Sequence, residues 1–213
     1  MPQTVISIYF YLQKPPTNNT FFGRVLLNTK EINAVLFEWI DHWIIGQNFC
    51  PFARPVRLKE SINITLSDAK NVEQMMTILE QACQSLLSNP DRSTTLVTFT
   101  HGAKDFFSFL DWVDTANLLI QQCNWEGVFQ LATFHPDYLF DGEPVDSPTH
   151  YTNRAPLPIL HIIREAEIST VMPSQKEADV IVARNQARCE ALGTDFFVHQ
   201  FKGWQARLHQ AIE

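Results

Sequence analysis

The run V-F-Q-L-A-T-F at residues 128–134 is the third of three short apolar segments that alternate with helical patterns. It follows similar runs at 62–66 and 94–100, where β-branched residues favour strands. The helical patterns between them begin at caps on Asp68 and Asp105. Strand, helix, strand, helix, strand is typical of right-handed crossover units. The sequence therefore predicts an α/β fold with a small, mostly parallel three-stranded sheet, a mixed sheet being left open. The nearly continuous apolar run at 128–134 is expected to be a central strand.

Helices are predicted before and after this unit in the chain. Asn28, with Glu31 three residues later, marks the start of a helix that runs to about Gln47. Residues 1–27 have a linker-like composition and are predicted to be a loosely attached arm, with 28–213 forming a single domain.

The C-terminal region is predicted to be helical. Pro158 suits the first turn of a helix over Ile159–Glu167. Ser174 and Glu177 form a capping box that starts the next helix, which ends at Gly193. The tail from Asp195 to Glu213 fits a terminal helix interrupted near Gly203.

Charge and composition limit the partners and the compartment. The 213-residue chain has a formal net charge of −7, which argues against nonspecific binding to nucleic acid or to an anionic membrane. The four cysteines show no C-x-x-C spacing, so we expect reduced thiols. The apolar run near the N-terminus lacks the flanks of a signal peptide. These features predict a cytoplasmic protein, and they leave its oligomeric state undefined.

The segment Phe134–Glu165 is the candidate functional region, because it holds three of the seven histidines and five of the twelve prolines. His135 and Asp137 follow the third strand directly, at the edge where open α/β sheets place ligands. His161 and Glu165 would share a face of the predicted helix. The alternative for each pair is structural, with His135 and Asp137 capping the strand and turn, and His161 bonded to Glu165.

His135, His161 and Glu165 together suggest ligands for a divalent metal ion, with iron, manganese or zinc open. Asp137 would orient or ligate, and Arg164 would lie near the same helical face as a substrate contact. This set predicts metal-assisted hydrolysis first and metal-dependent oxidation second, with His135 as general base or ligand. No recognised metal-binding motif occurs, so the cofactor stays undefined.

Two other constellations support rival functions. Tyr151, Asn153 and Arg154 suggest a clamp for a carboxylate or phosphate, unless Arg154 pairs internally with a loop carboxylate. The carboxylates considered for that internal pair are Asp137, Asp141, Glu143 and Asp146. A non-enzymatic domain that binds a small anion is therefore one rival.

Cys50, near Arg54, is a candidate nucleophile activated by His135 or His161 in a thiol enzyme, and core filler otherwise. His101, after the second strand, is a further candidate for substrate binding.

Several motifs occur in an order that resembles a known family. They are C-P-F-A at 50–53, Q-L-A-T-F-H-P-D-Y at 130–138 and Y-T-N-R-A-P at 151–156. With them the chain resembles Domain of Unknown Function 1415, an uncharacterised and mainly bacterial family, over about Asn28 to Gly193. Two positions depart from the family pattern, Ala155 where it tends to have Ser and His150 where it tends to have Asn. The resemblance implies no established activity.

Overall fold

A computed structural model describes residues 27–171 and 175–213, in which four strands form one mixed sheet in the order β1-β2-β4-β3. The strands are β1 (Ile62–Ser67), β2 (Thr94–Phe99), β3 (Phe129–Phe134) and β4 (Ile159–Arg164). β1 and β2 pair in parallel, whereas β4 runs antiparallel to both of its neighbours. The predicted α/β class is confirmed. The prediction of three mostly parallel strands is wrong, because β4 was assigned to a helix.

The fourth strand occupies the first six residues of the predicted helix 159–167, and helix α5 (Glu165–Val171) follows it. Its apolar side chains serve both faces of the sheet: Ile159 packs with one cluster, and Leu160 and Ile162 pack with the other. An apolar run of this length suits a strand covered on both faces as well as it suits a short buried helix. The neighbouring strands β2 and β3 decide between them by supplying hydrogen-bonding partners along both edges.

The interleaved β4 also changes the position of β3 in the sheet. β3 is an edge strand with Gln130 exposed, so the prediction of a central strand is wrong, and β2 is the strand buried along its whole length. Since β4 is antiparallel to β2 and β3, strands β1, β2 and β3 all point the same way. Their carboxyl ends therefore share one edge of the sheet, as the sequence predicts.

Helices cover both faces of the sheet. The remaining helical elements are α1 (Thr29–Trp39), a π-helical segment (Ile40–Ile45), α2 (Ala53–Leu58), α3 (Val72–Ser88), α4 (Phe106–Gln122), a 3-10 helix (Pro148–Thr152), α6 (Gln175–Leu192) and α7 (Thr194–Ile212). Residues of α3 and α4 pack on one face with Val97 and Phe99. Residues of α1 and α7 pack on the other face with Leu96. None of the helices in the described ranges combines the length and apolar character needed to cross a membrane.

Local signals at the helix ends were predicted with mixed success. Asn28 accepts the Glu31 amide at 3.1 Å and Asp105 accepts the Ser108 amide at 2.8 Å, which confirms both caps. The cap of α3 is Asn71 rather than Asp68, and α7 continues through Gly203 without interruption. The predicted cap at Ser174 and the arm up to residue 26 lie outside the described residues.

An aromatic cluster joins the C-terminal helices to the candidate region. The indole of Trp43 is fully buried and donates to Gln200 Oε1 at 2.7 Å. Its ring meets Phe197 at 5.1 Å and Tyr151 at 5.6 Å, and Tyr151 stacks on Phe197 at 4.6 Å. Burial of each such ring contributes roughly 1.5–3 kcal/mol. The segment that carries Arg154 is thereby attached to a rigid part of the core.

Candidate functional site

His135 follows β3 at the shared carboxyl edge and is fully buried. Its Nε2 lies 2.9 Å from the carbonyl oxygen of Ala103, and its Nδ1 accepts the backbone N–H of Asp137 at 3.0 Å. Because a carbonyl oxygen only accepts, the proton must be on Nε2 and the ring must be neutral. The ring packs 5.4 Å from Phe106 and 5.2 Å from Phe109 of α4. His135 therefore connects the end of β3 to the loop after β2.

This arrangement does not suit the predicted role of His135 as general base or metal ligand. Both ring nitrogens are engaged by backbone groups, so neither lone pair faces a ligand. Burial lowers the pKa of His135, against the opposing effects of the Ala103 carbonyl and of Asp137 and Asp105. Asp137 contacts the ring through its backbone amide, and its residue is exposed to solvent. The structural alternative fits both residues better.

His150 uses the same two-ended arrangement fifteen residues later. Its Nδ1 accepts the backbone N–H of Phe140 at 3.1 Å, and its Nε2 donates to the carbonyl of Pro144 at 2.8 Å. The residue is fully buried, and its ring stacks on that of Phe140 at 6.0 Å. The carbonyl of His150 also accepts the backbone N–H of Arg154 at 3.0 Å. His150 thus fixes the loop 140–144 and the start of the Arg154 segment.

Arg154 is held at four points. Its carbonyl accepts the indole N–H of Trp39 at 3.1 Å, and its backbone N–H binds His150. Its Nε donates to the carbonyl of Tyr138 at 3.3 Å. Its Cζ lies 4.7 Å from the ring centroid of Tyr151, a cation–π geometry. Within the described residues the guanidinium forms no ion pair, so none of the four loop carboxylates considered from the sequence neutralises it.

The neighbours of Arg154 have supporting roles. Asn153 donates through Nδ2 to the carbonyl of Thr133 at 3.1 Å, and its own carbonyl accepts the backbone N–H of His135 at 3.2 Å. Ala155 donates its N–H to the carbonyl of His135 at 3.4 Å. Tyr151 is only 4% exposed and offers its ring face to Arg154. Tyr151 and Asn153 therefore position Arg154 and are largely occupied by their own contacts.

His161 lies in β4 on the other face of the sheet. Its ring is 6.2 Å from that of Phe134, which in turn contacts Trp39 of α1 at 5.2 Å. Its Nε2 is 2.6 Å from the hydroxyl of Thr94, which donates its single proton to the carbonyl of Ile162 at 2.6 Å. The Thr94 oxygen must then accept from the Nε2–H of the imidazole. Burial alone lowers the pKa of His161 to about 4.

Arg164 and Glu165 lie at the far end of the sheet from His135. Arg164 pairs with Phe129, the first residue of β3, whereas His135 follows its last residue, so the length of a six-residue strand, roughly 17 Å, separates the two ends. The guanidinium of Arg164 donates to the carbonyls of Leu86, Asn89 and Arg92, which end and follow α3. This arrangement does not suit the predicted substrate contact, because the carbonyls occupy Nε and one Nη of Arg164. Glu165 begins α5 and lines a shallow surface cavity beside Gln130.

The three predicted metal ligands are therefore not brought together. His135 contacts the α4 layer, His161 faces the α1 layer and Glu165 lies at the opposite end of the sheet. The helical spacing that joined His161 to Glu165 is lost because His161 is in a strand. In the part of the chain that the structure describes, no group of three His, Cys, Asp or Glu residues is placed to share a metal ion.

Cys50 and His101 are the remaining predicted candidates. Burial raises the pKa of the Cys50 thiol, against smaller opposing effects from the amides of Phe52 and Ala53 and from Arg184. Arg184 is thus the cation that lowers the pKa of this thiol, a role predicted for Arg54 from the sequence, and burial disfavours the thiolate. His101 is exposed in the loop after β2, where its Nδ1 lies 2.8 Å from the hydroxyl of Thr100.

A family model described as "Protein of unknown function (DUF1415)" matches residues 31–199. The chain belongs to this family. The match confirms the resemblance inferred from the sequence motifs, and it includes most of α1, the whole sheet and the Arg154 segment of this DUF1415 member. Comparisons with curated proteins and with solved structures found no significant match.

Three contributors to the Arg154 site were not found from the sequence. Neither Trp39 nor His150 received a role in this site from the sequence, and Tyr138 acts through a backbone carbonyl that no side-chain pattern reveals. Ser147-Pro148 is a turn-initiating pair, and it would have placed His150 in a short helical turn. The contacts themselves join residues up to 115 positions apart, and local patterns carry no information on them.

Proposed function

We propose that this protein is a binding domain for a small anionic ligand and that Arg154 is the residue that recognises the anion. The observation that carries the proposal is the set of contacts that the Arg154 guanidinium makes. The guanidinium is fixed by the Tyr138 carbonyl and the Tyr151 ring, yet within the described residues it has no carboxylate partner. A half-buried cation held in this way is costly to the fold unless it has another use.

The chemistry of the guanidinium defines the class of ligand. Nε is used by Tyr138, and the two Nη groups retain donors in the fixed planar geometry that suits a carboxylate or a tetrahedral oxyanion. The side-chain contacts to Tyr138 and Tyr151 reduce the freedom that the arginine side chain would otherwise lose on binding, and Trp39 and His150 fix its backbone. A small anionic metabolite is the simplest ligand for such a site, and a cytoplasmic location remains a prediction consistent with it.

The two enzymatic alternatives have weaker support. Metal-assisted hydrolysis or oxidation needs His135, His161 and Glu165 around one ion, and these residues lie on different faces and ends of the sheet. A thiol enzyme needs a nucleophilic Cys50, and burial raises the pKa of that thiol. Anion binding requires no further convergence of side chains, because the Arg154 geometry is already formed.

Titration with sodium sulfate and with sodium acetate at pH 7.5 tests the proposal. At a concentration ten times the dissociation constant, an anion that binds only the folded state adds about 1.4 kcal/mol to the free energy of unfolding. We expect the corresponding rise in melting temperature for the unmodified protein with at least one of the two salts. Sodium chloride at equal ionic strength controls for screening.

Matched variants assign the effect to Arg154. Arg154→Ala should abolish the rise, and Arg154→Lys should weaken it because a point charge replaces a planar pair of donors. Arg54→Ala removes the same charge at an exposed position, and it should respond to the salts as the unmodified protein does. An identical response in Arg154→Ala and Arg54→Ala would refute the proposal.

A further inference from the structure

The carbonyl that orients Arg154 belongs to a segment held at both ends by histidine rings. The carbonyl of Tyr138 accepts the Nε–H of Arg154. On one side of Tyr138, the backbone N–H of Asp137 binds Nδ1 of His135. On the other side, the backbone N–H of Phe140 binds Nδ1 of His150. Each ring then reaches a fixed carbonyl with its second nitrogen, as described above. The position of the Tyr138 carbonyl therefore depends on two imidazoles that both act as acceptors.

Only a neutral imidazole can accept a hydrogen bond at Nδ1 while it donates one from Nε2. Protonation places a hydrogen on Nδ1, which then points at an amide N–H that is itself a donor. For His135 this converts the hydrogen bond with Asp137 into a repulsive contact of two donors at 3.0 Å. The turn 135–138 must then open, and the carbonyl of Tyr138 moves away from Arg154. Asn153 and Ala155, which flank Arg154, are bonded to the backbone of His135 and would be displaced with it.

We propose that His135 and His150 are positioning residues for the Arg154 site, and that protonation of His135 releases the bound anion. This inference rests on the proposed function and adds its regulation. It gives a direction of pH dependence opposite to the usual one. Anions ordinarily bind a protein more tightly as the pH falls, because the protein gains positive charge. Here the affinity is expected to fall.

The groups that face His135 determine the pH range in which its ring is protonated. Phe106 and Phe109 of α4 bury the ring, and this burial disfavours its charged form and lowers its pKa. The carbonyl of Ala103, Asp137 from its own turn, Asp105 from the start of α4 and the backbone of Lys104 act in the opposite direction, and the net result is a lowered pKa. His135 is therefore neutral at pH 7.5, and it takes up its proton only at a pH below its ordinary pKa of 6.5.

The experiment measures sulfate affinity by calorimetry from pH 7.5 to pH 5.0, a range in which the charge of sulfate does not change. If one proton on His135 opposes binding, the dissociation constant should rise towards tenfold for each pH unit below the pKa of that ring. Tryptophan fluorescence over the same range reports whether the fold persists. A dissociation constant that is constant, or that falls with pH, would overturn the inference while leaving the Arg154 proposal intact.

Variants separate positioning from general effects of acid. His135→Gln keeps a donor towards Ala103 and does not titrate, so its sulfate affinity should no longer fall with decreasing pH. His199→Gln removes an exposed histidine of α7, and it should keep the pH profile of the unmodified protein. A His135→Gln profile that matches the His199→Gln profile would contradict the assignment.

A measurement without ligand keeps the inference testable if His135→Gln does not fold or if sulfate does not bind. The Nε–H resonance of Arg154, assigned by comparison with Arg154→Lys, reports its bond to the Tyr138 carbonyl. In unmodified protein this resonance should show a hydrogen-bonded shift at pH 7.5 and lose it towards pH 5.0. A resonance unchanged over this range would refute the coupling. Absence of sulfate binding at every pH, with the shift present, would count against the proposed function alone.

Discussion

Replacing His161 by glutamine should remove a large part of the acid sensitivity of the fold. The ring lies inside β4 against Phe134, and burial lowers its pKa from 6.5 to about 4. The folded protein thus resists a proton that the unfolded chain accepts. The stability that this group confers is fully present above about pH 6.5, and it is lost progressively as the pH falls from 6.5 towards 4.

The size of the effect follows from the two pKa values. At pH 4.5 His161 is almost fully protonated in the unfolded chain and only partly protonated in the folded protein. The linkage relation then gives a loss of about 2–3 kcal/mol between pH 7.5 and pH 4.5 from this one group. Such a loss is a large fraction of the 5–15 kcal/mol by which folded domains are commonly stable.

Urea unfolding at pH 7.5 and at pH 4.5 measures the loss. In His161→Gln the side-chain amide can still donate to the hydroxyl of Thr94 but does not titrate, so the drop in the free energy of unfolding should shrink by that amount. His199→Gln, at an exposed site, should show the full drop. Because His135 contributes in the same direction in every protein, only the difference between variants is informative. An equal drop in both variants would refute the buried, neutral assignment of His161.

Two further predictions concern residues whose sequence-based roles changed. Arg164→Ala should lower the free energy of unfolding by about 1–3 kcal/mol in urea, because the carbonyls at the end of α3 lose a charged donor; an effect no larger than that of Arg54→Ala would contradict this. Cys50 should react with iodoacetamide at pH 7.5 more slowly than a free cysteine does, because burial raises its pKa. Rapid alkylation, located at Cys50 by mass spectrometry, would restore the thiol enzyme as a candidate.

The positions of the candidate residues show where sequence reasoning succeeds. Strand and helix patterns placed His135 at the carboxyl edge of the sheet, because alternating apolar segments define strand ends within a residue or two. The residue types Tyr151, Asn153 and Arg154 separately suggested an anion clamp. The pairing of His161 with Glu165 depended on a single assignment, since a helix over 159–167 puts His161 beside Glu165 and a strand does not.

The assignment of β4 failed for a physical reason. The sequence I-L-H-I-I-R has apolar residues at both helical and strand spacings, and six residues are too few to distinguish the two periods. The β-branched isoleucines and the short length favour a strand, whereas the preceding Pro158 suits the start of a helix. Hydrogen bonding to β2 and β3 on both edges settles the choice, and those strands lie 65 and 30 residues away in the chain.

The sequence by itself determined the α/β class, the three co-directional strands, the helix caps at Asn28 and Asp105, and the family. Each element and cap depends on a pattern within about twenty residues, where the periodicity of burial and the capping of backbone groups act locally, and the family depends on short motifs in a fixed order. Only the tertiary structure decided that β4 lies between β2 and β3, that His135 and His150 are neutral supports, and that Arg154 is left without a carboxylate. Hydrogen bonds and desolvation depend on which distant backbone groups arrive beside a side chain, and that is fixed only when the layers pack.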